Sequence, residues 1–435
     1  MSEPVSNNRN SGDEMHLFAS ELFPICRSIT GNGVRQTLVR IQEHLPSLTL
    51  HEVPSGTKAF DWVVPDEWNI NAASLIGPEG NIVVDFADNN LHVVGYSTPI
   101  EIVLPLDELQ DHLYSLPEMP EVIPYVTSFY EKRWGFCLPH RIRDTLEPGD
   151  WKITIESSLT SGHLTYGELL LPGNTTEEIF LSTYICHPSM ANNEISGPVV
   201  TTWLAKWLQS QENHYSYRII FVPETIGSIV YISRHLDEMR SNIIAGFVIT
   251  CVGDERCYSY LPSRTGSTIS DRVAQYVLAN TDPNYLRYEY LDRGSDERQY
   301  CSPGVDLPVC SVMRSKYGEY PEYHTSADDL TLITSTGLEG SYNTLKQCIA
   351  LIEMNRIWKA TTPCEPQLGK LGLYPTISTR VTEQRLKVMM DFLAYADGSR
   401  DLLAIAELIR AKPELCSEIA EILQTNGLIS EVDHL

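Results

Sequence analysis

The middle of the chain alternates runs of apolar residues with segments that are apolar on one helical face. Helical spacing of Val199, Trp203, Leu204 and Leu208 predicts one amphipathic helix, and Ser228–Met239 predicts another. The strongest strand candidates are the apolar runs Ile179–Ile185, Tyr217–Val222, Ile244–Val252 and Leu307–Val312. Apolar strands that alternate with such helices indicate an α/β fold, with a mainly parallel sheet and helices on both faces.

The flanking segments have a different character. Helical patterns dominate residues 1–50, which we assign with 164–362 to the α/β domain. Short β-type runs separated by Pro- and Gly-containing turns predict an inserted β-rich domain over 51–163. Three short helices and an apolar end over 363–435 have the outline of a winged-helix domain.

Charge and composition narrow the classes of partner. The 435 residues include 57 acidic and 32 basic side chains, a formal charge of −25. Such acidity disfavours a protein surface that binds phosphate groups or anionic membranes. Its general effect is to keep the protein soluble. The possible DNA-recognition helix carries Glu414, Glu418 and Glu421 without Lys or Arg between Pro413 and Gly427. We therefore expect no nucleic-acid or membrane partner.

The cysteines and the first residues bear on the compartment. Ten cysteines are scattered without a CxxC pair, and Met1–Asn10 lacks the apolar region of a signal peptide. The longest apolar run, Ile243–Val252, is about half of what a bilayer span needs. These features favour a cytoplasmic protein with reduced cysteines.

Reactive side chains follow three of the predicted strands. His187 and Glu194 come after the first strand, Glu224 after the second, and Tyr323 and His324 after the fourth. In open α/β sheets ligands lie beyond the carboxyl ends of strands, so we expect these groups to converge. Imidazoles and carboxylates at one sheet edge are what a zinc hydrolase needs, and the alternative is ordinary surface or capping roles.

Longer motifs carry a resemblance to a known family. The chain resembles the DUF4910/DUF2172 aminopeptidase-like proteins, which are related to the M28 zinc exopeptidases. The matching stretches are Leu22–Gly33 (LFPICRSITGNG), Asp61–Asn69, Trp134–His140, Leu164–Glu168, Cys186–Gly197, Pro223–Ser228 (PETIGS), Thr250–Asp254, Gly294–Gly304 and Tyr320–Leu330. The resemblance implies a zinc-exopeptidase α/β domain, an inserted β domain and a C-terminal winged helix.

The resemblance also implies roles for single residues. His187 and His324 match the two histidine zinc ligands, and Glu224 matches the general-base glutamate. Asn193 stands where the family motif Ala-Asn-Asp-Asn has a bridging aspartate, and an amide is a poorer zinc ligand than a carboxylate. Glu194 is a candidate substitute. The second glutamate of the exopeptidase pair falls on Thr225, so we expect one zinc ion or none.

Four residues are candidates for substrate contacts. Arg264 and Arg298 would neutralise a substrate carboxylate, unless they form structural ion pairs. Asp296 would bind a substrate amino group, and Tyr323 would donate to an oxyanion.

The sequence is compatible with three functions. The first is a metal-dependent hydrolase that acts on a peptide or aminoacyl-type amide. The second is a biosynthetic variant with a specialised substrate. The third is a catalytically silent binding protein that makes protein contacts through its inserted and winged-helix domains.

Overall fold

The computed structural model describes residues 10–374 and 380–432. Its strands are β1 (Thr49–Pro54), β2 (Lys58–Ala59), β3 (Trp62–Val63), β4 (Glu67–Ile76), β5 (Ile82–Asp85), β6 (Ile100–Pro105), β7 (Leu113–Tyr114), β8 (Phe136–Cys137), β9 (Asp150–Thr160), β10 (His163–Leu171), β11 (Glu178–Tyr184), β12 (Ser216–Val222), β13 (Ile243–Val248), β14 (Ser259–Leu261), β15 (Leu286–Arg287), β16 (Val309–Met313), β17 (Ile357–Ala360), β18 (Asp397–Asp401) and β19 (Ile429–Val432).

Helices occur along the whole of the described chain, from before β1 to just before β19. They are α1 (Ser11–Leu22), α2 (Asn32–His44), α3 (Leu106–Leu109), α4 (His140–Arg143), α5 (Ser196–Gln209), α6 (Ile226–Asn242), α7 (Ile269–Thr281), α8 (Glu297–Tyr300), α9 (Ser335–Met354), α10 (Arg380–Tyr395), α11 (Leu402–Ile409) and α12 (Pro413–Thr425). A π-helical turn, Ala191–Ile195, directly precedes α5. Such turns are rare and often occur at functional sites.

One eight-stranded sheet organises the first of two compact units, Met1–Lys346. Its strand order is β1-β10-β12-β11-β13-β16-β14-β15. The central strands β12, β11, β13 and β16 are parallel, so their carboxyl ends meet at one edge. All seven residues of β11 are buried, as expected for a strand with helices on both faces. The predicted mainly parallel α/β sheet is confirmed.

A second sheet lies in the predicted β-rich segment. Its four strands, in the order β5-β4-β9-β6, are antiparallel, and their buried side chains form a separate apolar cluster around Trp151, Ile153 and Leu75. The segment also differs from the prediction at its edges, because β1 pairs with β10 in the large sheet. Within the segment, Asn90–His92 form a 3₁₀ turn, and Val93 and Gly95 make isolated β-bridges.

The second compact unit is Gln347–Leu435. Helices α10, α11 and α12 pack around an apolar cluster that includes Phe392, Ile405 and Ile419, next to the three-stranded sheet β18-β17-β19. We predicted that this domain starts at residue 363. It starts earlier in the structure, because β17 pairs with both β18 and β19. Across the described residues, no helix is long and apolar enough to cross a membrane.

Candidate functional site

His187, which follows β11, is the most buried histidine at the carboxyl edge of the sheet. Its Nδ1 lies 2.9 Å from Glu194 Oε2, and its Nε2 lies 3.7 Å from Glu224 Oε2. The side chain of Arg27 donates from Nε to the His187 carbonyl oxygen at 3.0 Å. With Nδ1 bound to Glu194, the Nε2 atom is the one left to face Glu224.

His324 comes from the loop after β16 and reaches the same place. Its ring centroid is 5.4 Å from that of His187, and its Nε2 is buried without a hydrogen-bond partner among the described residues. The loop is held by Tyr125, whose backbone N–H donates to the His324 carbonyl oxygen at 2.9 Å. His324 itself has a φ of +57°, a strained conformation of the kind that clusters at functional sites.

Both imidazoles are in the form that binds metals. Burial, followed by the nearby Arg27 charge, lowers the pKa of His187 to about 3. Burial and the neighbouring His187 lower the pKa of His324 to about 3 as well. Both rings are therefore neutral at physiological pH, with a lone pair free to ligate.

Glu224 follows β12 and is half-buried at the cavity. Burial, followed by the charge of Asp296, raises the pKa of Glu224 to about 8. Its backbone N–H donates to Cys186 Sγ at 3.2 Å, which ties the ends of β11 and β12 together. A carboxylate with a pKa near neutral pH suits a general base.

Asp296 braces the turn after Glu224. Its Oδ1 accepts from the Thr225 backbone N–H at 2.7 Å and from Ser228 Oγ at 2.9 Å. Thr225 needs this support because its φ is +63°, the left-handed region that a β-branched residue rarely adopts. The Oδ2 atom of Asp296 is buried without a partner in the described chain, and burial raises the pKa of this acid to about 7.

Glu194 lies behind His187. Its carboxylate contacts His187 Nδ1, and its Oε1 lies 3.6 Å from the Nε of the buried Arg27. Burial raises the pKa of Glu194 to about 8, against the opposing effect of Arg27. Possible ligand atoms of Cys186, His187 and Glu194 all lie within 4.8 Å of one another. A cation among them would meet the Arg27 charge, so this trio is better suited to orient His187.

The side chain of Asn193 is hydrogen-bonded within a group of uncharged side chains. Its Nδ2 donates to the Tyr184 hydroxyl at 2.8 Å, and that hydroxyl also contacts Thr250 Oγ1 at 2.6 Å. The π-helical turn that carries Asn193 is fixed by Asp328, whose two carboxylate oxygens accept the backbone N–H groups of Asn192 and Asn193. Asn193 Oδ1 is buried without a partner among the described residues. Asn193 thus places a neutral amide where the family motif has an aspartate.

Of the other residues predicted for the site, Arg298 lines the cavity, whereas Tyr323 and Arg264 do not. Arg298 lines the cavity and donates to Thr225 Oγ1 at 2.8 Å. Tyr323 stacks on His324 with ring centroids 3.8 Å apart, but it does not line the cavity. Arg264 is not brought to the site, since its guanidinium forms two hydrogen bonds with Asp306 at 2.8 and 2.6 Å.

A cavity of about 460 Å³ lies in front of these groups. Its wall on the side of the sheet includes His187, His324 and Glu224. Another part of the lining was not predicted, and it includes Ile29, Trp62, Tyr125, Thr127, Phe129 and Tyr130. Arg27, Ile29 and Trp62 lie in the family-like motifs Leu22–Gly33 and Asp61–Asn69, which was the only sequence signal for them.

The residues at the cavity fit a single divalent metal ion. Two neutral imidazoles face it, one with a buried unpartnered Nε2 and the other held through Nδ1 by a carboxylate. This is the donor type that zinc prefers, with the outer hydrogen bond that metal-binding histidines usually make. A second ion lacks a comparable donor set, because Asn193, Thr225 and Thr250 offer only neutral oxygens.

Two family models cover the chain. Residues 16–355 match DUF4910, a domain of unknown function, and residues 356–431 match HTH_47, a winged helix-turn-helix. A protein of Clostridium acetobutylicum described as "Putative polysaccharide biosynthesis protein with aminopeptidase-like domain" is 46% identical over 404 residues, 92% of each chain.

Solved structures share the fold. The crystal structure of a "putative peptidase" from Clostridium acetobutylicum has a TM-score of 0.90 and 43% identity, over 97% of each chain. A zinc aminopeptidase from Bacillus subtilis has a TM-score of 0.56 and 12% identity, covering 78% of this chain and 94% of its own. A peptidase M28 precursor from Shewanella amazonensis has a TM-score of 0.52 and 11% identity, covering 82% and 98%. The last two similarities concern the fold.

Proposed function

Because the chain belongs to the DUF4910 family and ends in a winged helix-turn-helix, on an M28-type peptidase fold, we propose that it is a metal-dependent amide hydrolase. The observation that carries the proposal is that His187, His324 and Glu224 line one cavity, with the two imidazole centroids 5.4 Å apart and His187 Nε2 3.7 Å from Glu224 Oε2. The aminopeptidase-like description of a 46% identical relative agrees with it.

His187 and His324 would hold one zinc ion. Glu194 would act through His187, as the acceptor that fixes which ring nitrogen faces the ion. Asn193 Oδ1 is buried and unpartnered within the described chain, and it would be the oxygen donor that we propose for the same ion. When bound, such an ion supplies Lewis acidity that polarises the amide carbonyl.

Glu224 would move the proton. Its carboxylate takes a proton from the water that attacks the carbonyl carbon and returns it to the departing amine nitrogen. Burial and the Asp296 charge raise its pKa above the ordinary value for a glutamate, toward the pH range in which such transfers are efficient. Asp296 would keep Glu224 in position by holding the strained Thr225 turn, which is a positioning role.

The substrate class we propose is a small peptide or aminoacyl-type amide. The cavity is of the size that holds one small molecule. The name of the Clostridium acetobutylicum relative favours a biosynthetic substrate over general peptide digestion. The cytoplasmic location that we expect agrees with such a role.

Glu224→Gln is the experiment that tests this activity. Wild type and variant are assayed, after zinc loading, on a panel of aminoacyl anilides and N-acyl amides, with Glu121→Gln as the exposed control. We expect a loss of at least about 100-fold in turnover for Glu224→Gln and none for the control. Unchanged turnover in Glu224→Gln would contradict the assigned base.

A binding-only function is the alternative, and Asn193 is the observation that favours it. An amide at this position removes the carboxylate that the exopeptidase pattern supplies. A wild-type protein that neither retains zinc nor hydrolyses any amide of the panel would support this alternative.

A further inference from the structure

Arg298 is an exposed cation that lines the candidate cavity. Its Nη2 donates to Thr225 Oγ1 at 2.8 Å. Its charge acts on the Glu224 and Asp296 carboxyls, but no carboxylate in the described chain forms a direct ion pair with it. By contrast, Arg264 and Arg256 each make two hydrogen bonds with a carboxylate. In a protein with 57 acidic and 32 basic residues, an arginine left unpaired at a cavity is available for an anion from outside.

The position of Arg298 relates it to the reacting groups. Thr225, which accepts its hydrogen bond, is the residue directly after Glu224, and both line the cavity. The backbone of Thr225 is itself held by the buried Asp296. The guanidinium is thus fixed next to the proposed base, and an anion that it binds would lie close to the amide being cleaved.

One part of the cavity lining, called the aromatic wall below, comes from the inserted segment. Trp62, Phe129 and Tyr130 belong to the inserted segment and line the cavity. The rings of Trp62 and Tyr130 make an edge contact at 5.9 Å, and Tyr130 is 55% exposed, which leaves ring surface for a ligand. Such a wall favours a planar or apolar group, since aromatic faces gain from stacking and from excluding water.

The inserted segment is fastened to the catalytic side, so the two walls form one site. Pro124 makes a β-bridge with Thr325, and the Ile123 N–H donates to Ser326 Oγ at 2.9 Å. The loop that carries the aromatic wall is thereby joined to the loop that carries His324. Rigid attachment of both walls is what selective binding of one ligand requires.

We propose that the site selects amides that bear an anionic group, a carboxylate or a phosphate, bound by Arg298, together with a planar or apolar group that packs on Trp62, Phe129 and Tyr130. The inference rests on the proposed function only in calling the bound molecule a substrate. The binding preference itself follows from the unpaired guanidinium and the aromatic wall.

Equilibrium binding to the zinc-loaded full-length protein tests the proposal without a need for turnover. The probes for calorimetry are N-acetyl-phenylalanine, its neutral amide, and phenyl phosphate. We expect wild type to bind at least one of the two anions about tenfold more tightly than the neutral amide, because charge-assisted hydrogen bonds add to the stacking. The tighter of the two anions identifies carboxylate or phosphate as the natural group.

Variants assign the preference to its source. Arg298→Gln should abolish the preference for the anion, and Arg298→Lys, which keeps the charge, should retain part of it. The matched control is Arg141→Gln, an exposed arginine paired with Glu121, and it should behave as wild type. Trp62→Ala should weaken the anion and the neutral amide alike, because the ring packs on the group they share.

Three results would overturn the proposal: equal affinity for charged and neutral probes in wild type, a preference that persists in Arg298→Gln, or no binding of either anion at millimolar concentration. Failure of the proposed function is separable from these. If Glu224→Gln keeps the anion preference while wild type hydrolyses nothing, the hydrolase assignment fails and the anion site remains.

Discussion

Glu194 Oε2 lies 2.9 Å from His187 Nδ1, on the side of the imidazole ring that is turned away from Glu224. From the sequence, this glutamate was a candidate to replace the ligand that Asn193 cannot supply. In the structure its carboxylate instead contacts His187, a proposed zinc ligand, and lies 3.6 Å from Arg27 Nε. Its effect on a metal ion would therefore be indirect, through the orientation and basicity of His187.

Glu194→Gln tests this arrangement. The amide keeps the shape but lowers the basicity that the carboxylate gives to His187, so zinc affinity should fall about 10-fold. Zinc affinity is measured by competition with a chelating dye, with Glu121→Gln as control. Circular dichroism checks that the variant is folded, since the change falls on a buried carboxyl group that lies 3.6 Å from the buried Arg27. An affinity equal to that of wild type would show that Glu194 does not act on the ion.

Asn193→Asp should strengthen zinc binding. The new carboxylate would accept a hydrogen bond from the Tyr184 hydroxyl, which in wild type accepts one from the Asn193 amide. It would also offer the zinc ion an anionic oxygen in place of a neutral one. We expect at least about tenfold tighter binding, measured with the same dye. Asn280→Asp makes the same chemical change at an exposed position of α7 and should have no effect. Unchanged affinity in Asn193→Asp would mean that Oδ1 does not reach the ion.

The ion pair between Arg35 and Glu67 should make stability depend on pH in the acid range. The hydrogen bond from Arg35 lowers the pKa of Glu67 from its ordinary value of 4.5 to about 2. Because the folded-state pKa is depressed, the stabilisation is complete above pH 4.5 and is lost as the pH falls toward 2.

Urea unfolding of Glu67→Gln measures this contribution. The variant should be about 1 kcal/mol less stable than wild type near neutral pH, and the difference should shrink below about pH 4.5. Glu101→Gln, an exposed partner of Lys152, should differ little from wild type at any pH. A constant difference across the range for Glu67→Gln would contradict the linkage.

The acidic face of α12 should prevent DNA binding by the winged helix. Glu414, Glu418 and Glu421 are all exposed, and Glu418 pairs with Arg385 at 3.2 Å. Fluorescence anisotropy with a mixed-sequence duplex should give no saturable binding for wild type. Replacing the three glutamates by lysine should create binding that weakens with salt. Tight binding by wild type would contradict the prediction.

The periodic elements could be predicted because their signals are local. The apolar run Tyr217–Val222 is β12 with one residue added, and the three short helices predicted over 363–435 are α10, α11 and α12. Strand ends also placed His187, Glu224 and His324 together, since parallel strands deliver their carboxyl ends to one edge.

What the sequence did not predict depends on contacts between distant segments. Arg27 reaches His187 across 160 positions of the chain, and Tyr125 holds the His324 loop from the inserted segment. Neither has a periodic signal. The sequence did not distinguish Arg264 from Arg298 as candidates for binding a substrate carboxylate. In the folded chain Arg264 is paired with Asp306, whereas Arg298 lies at the cavity.

The most direct test of the account is the zinc content of the protein purified without a metal-affinity tag, measured by elemental analysis. We predict one zinc ion per chain in wild type, and loss of that ion in both His187→Asn and His324→Asn, with the folded state checked by circular dichroism. His16→Asn, whose ring contacts only the Leu330 carbonyl among the described hydrogen bonds, should retain the ion. A wild-type protein without zinc even after incubation with the ion, or a His324→Asn variant that keeps it, would contradict the proposed site.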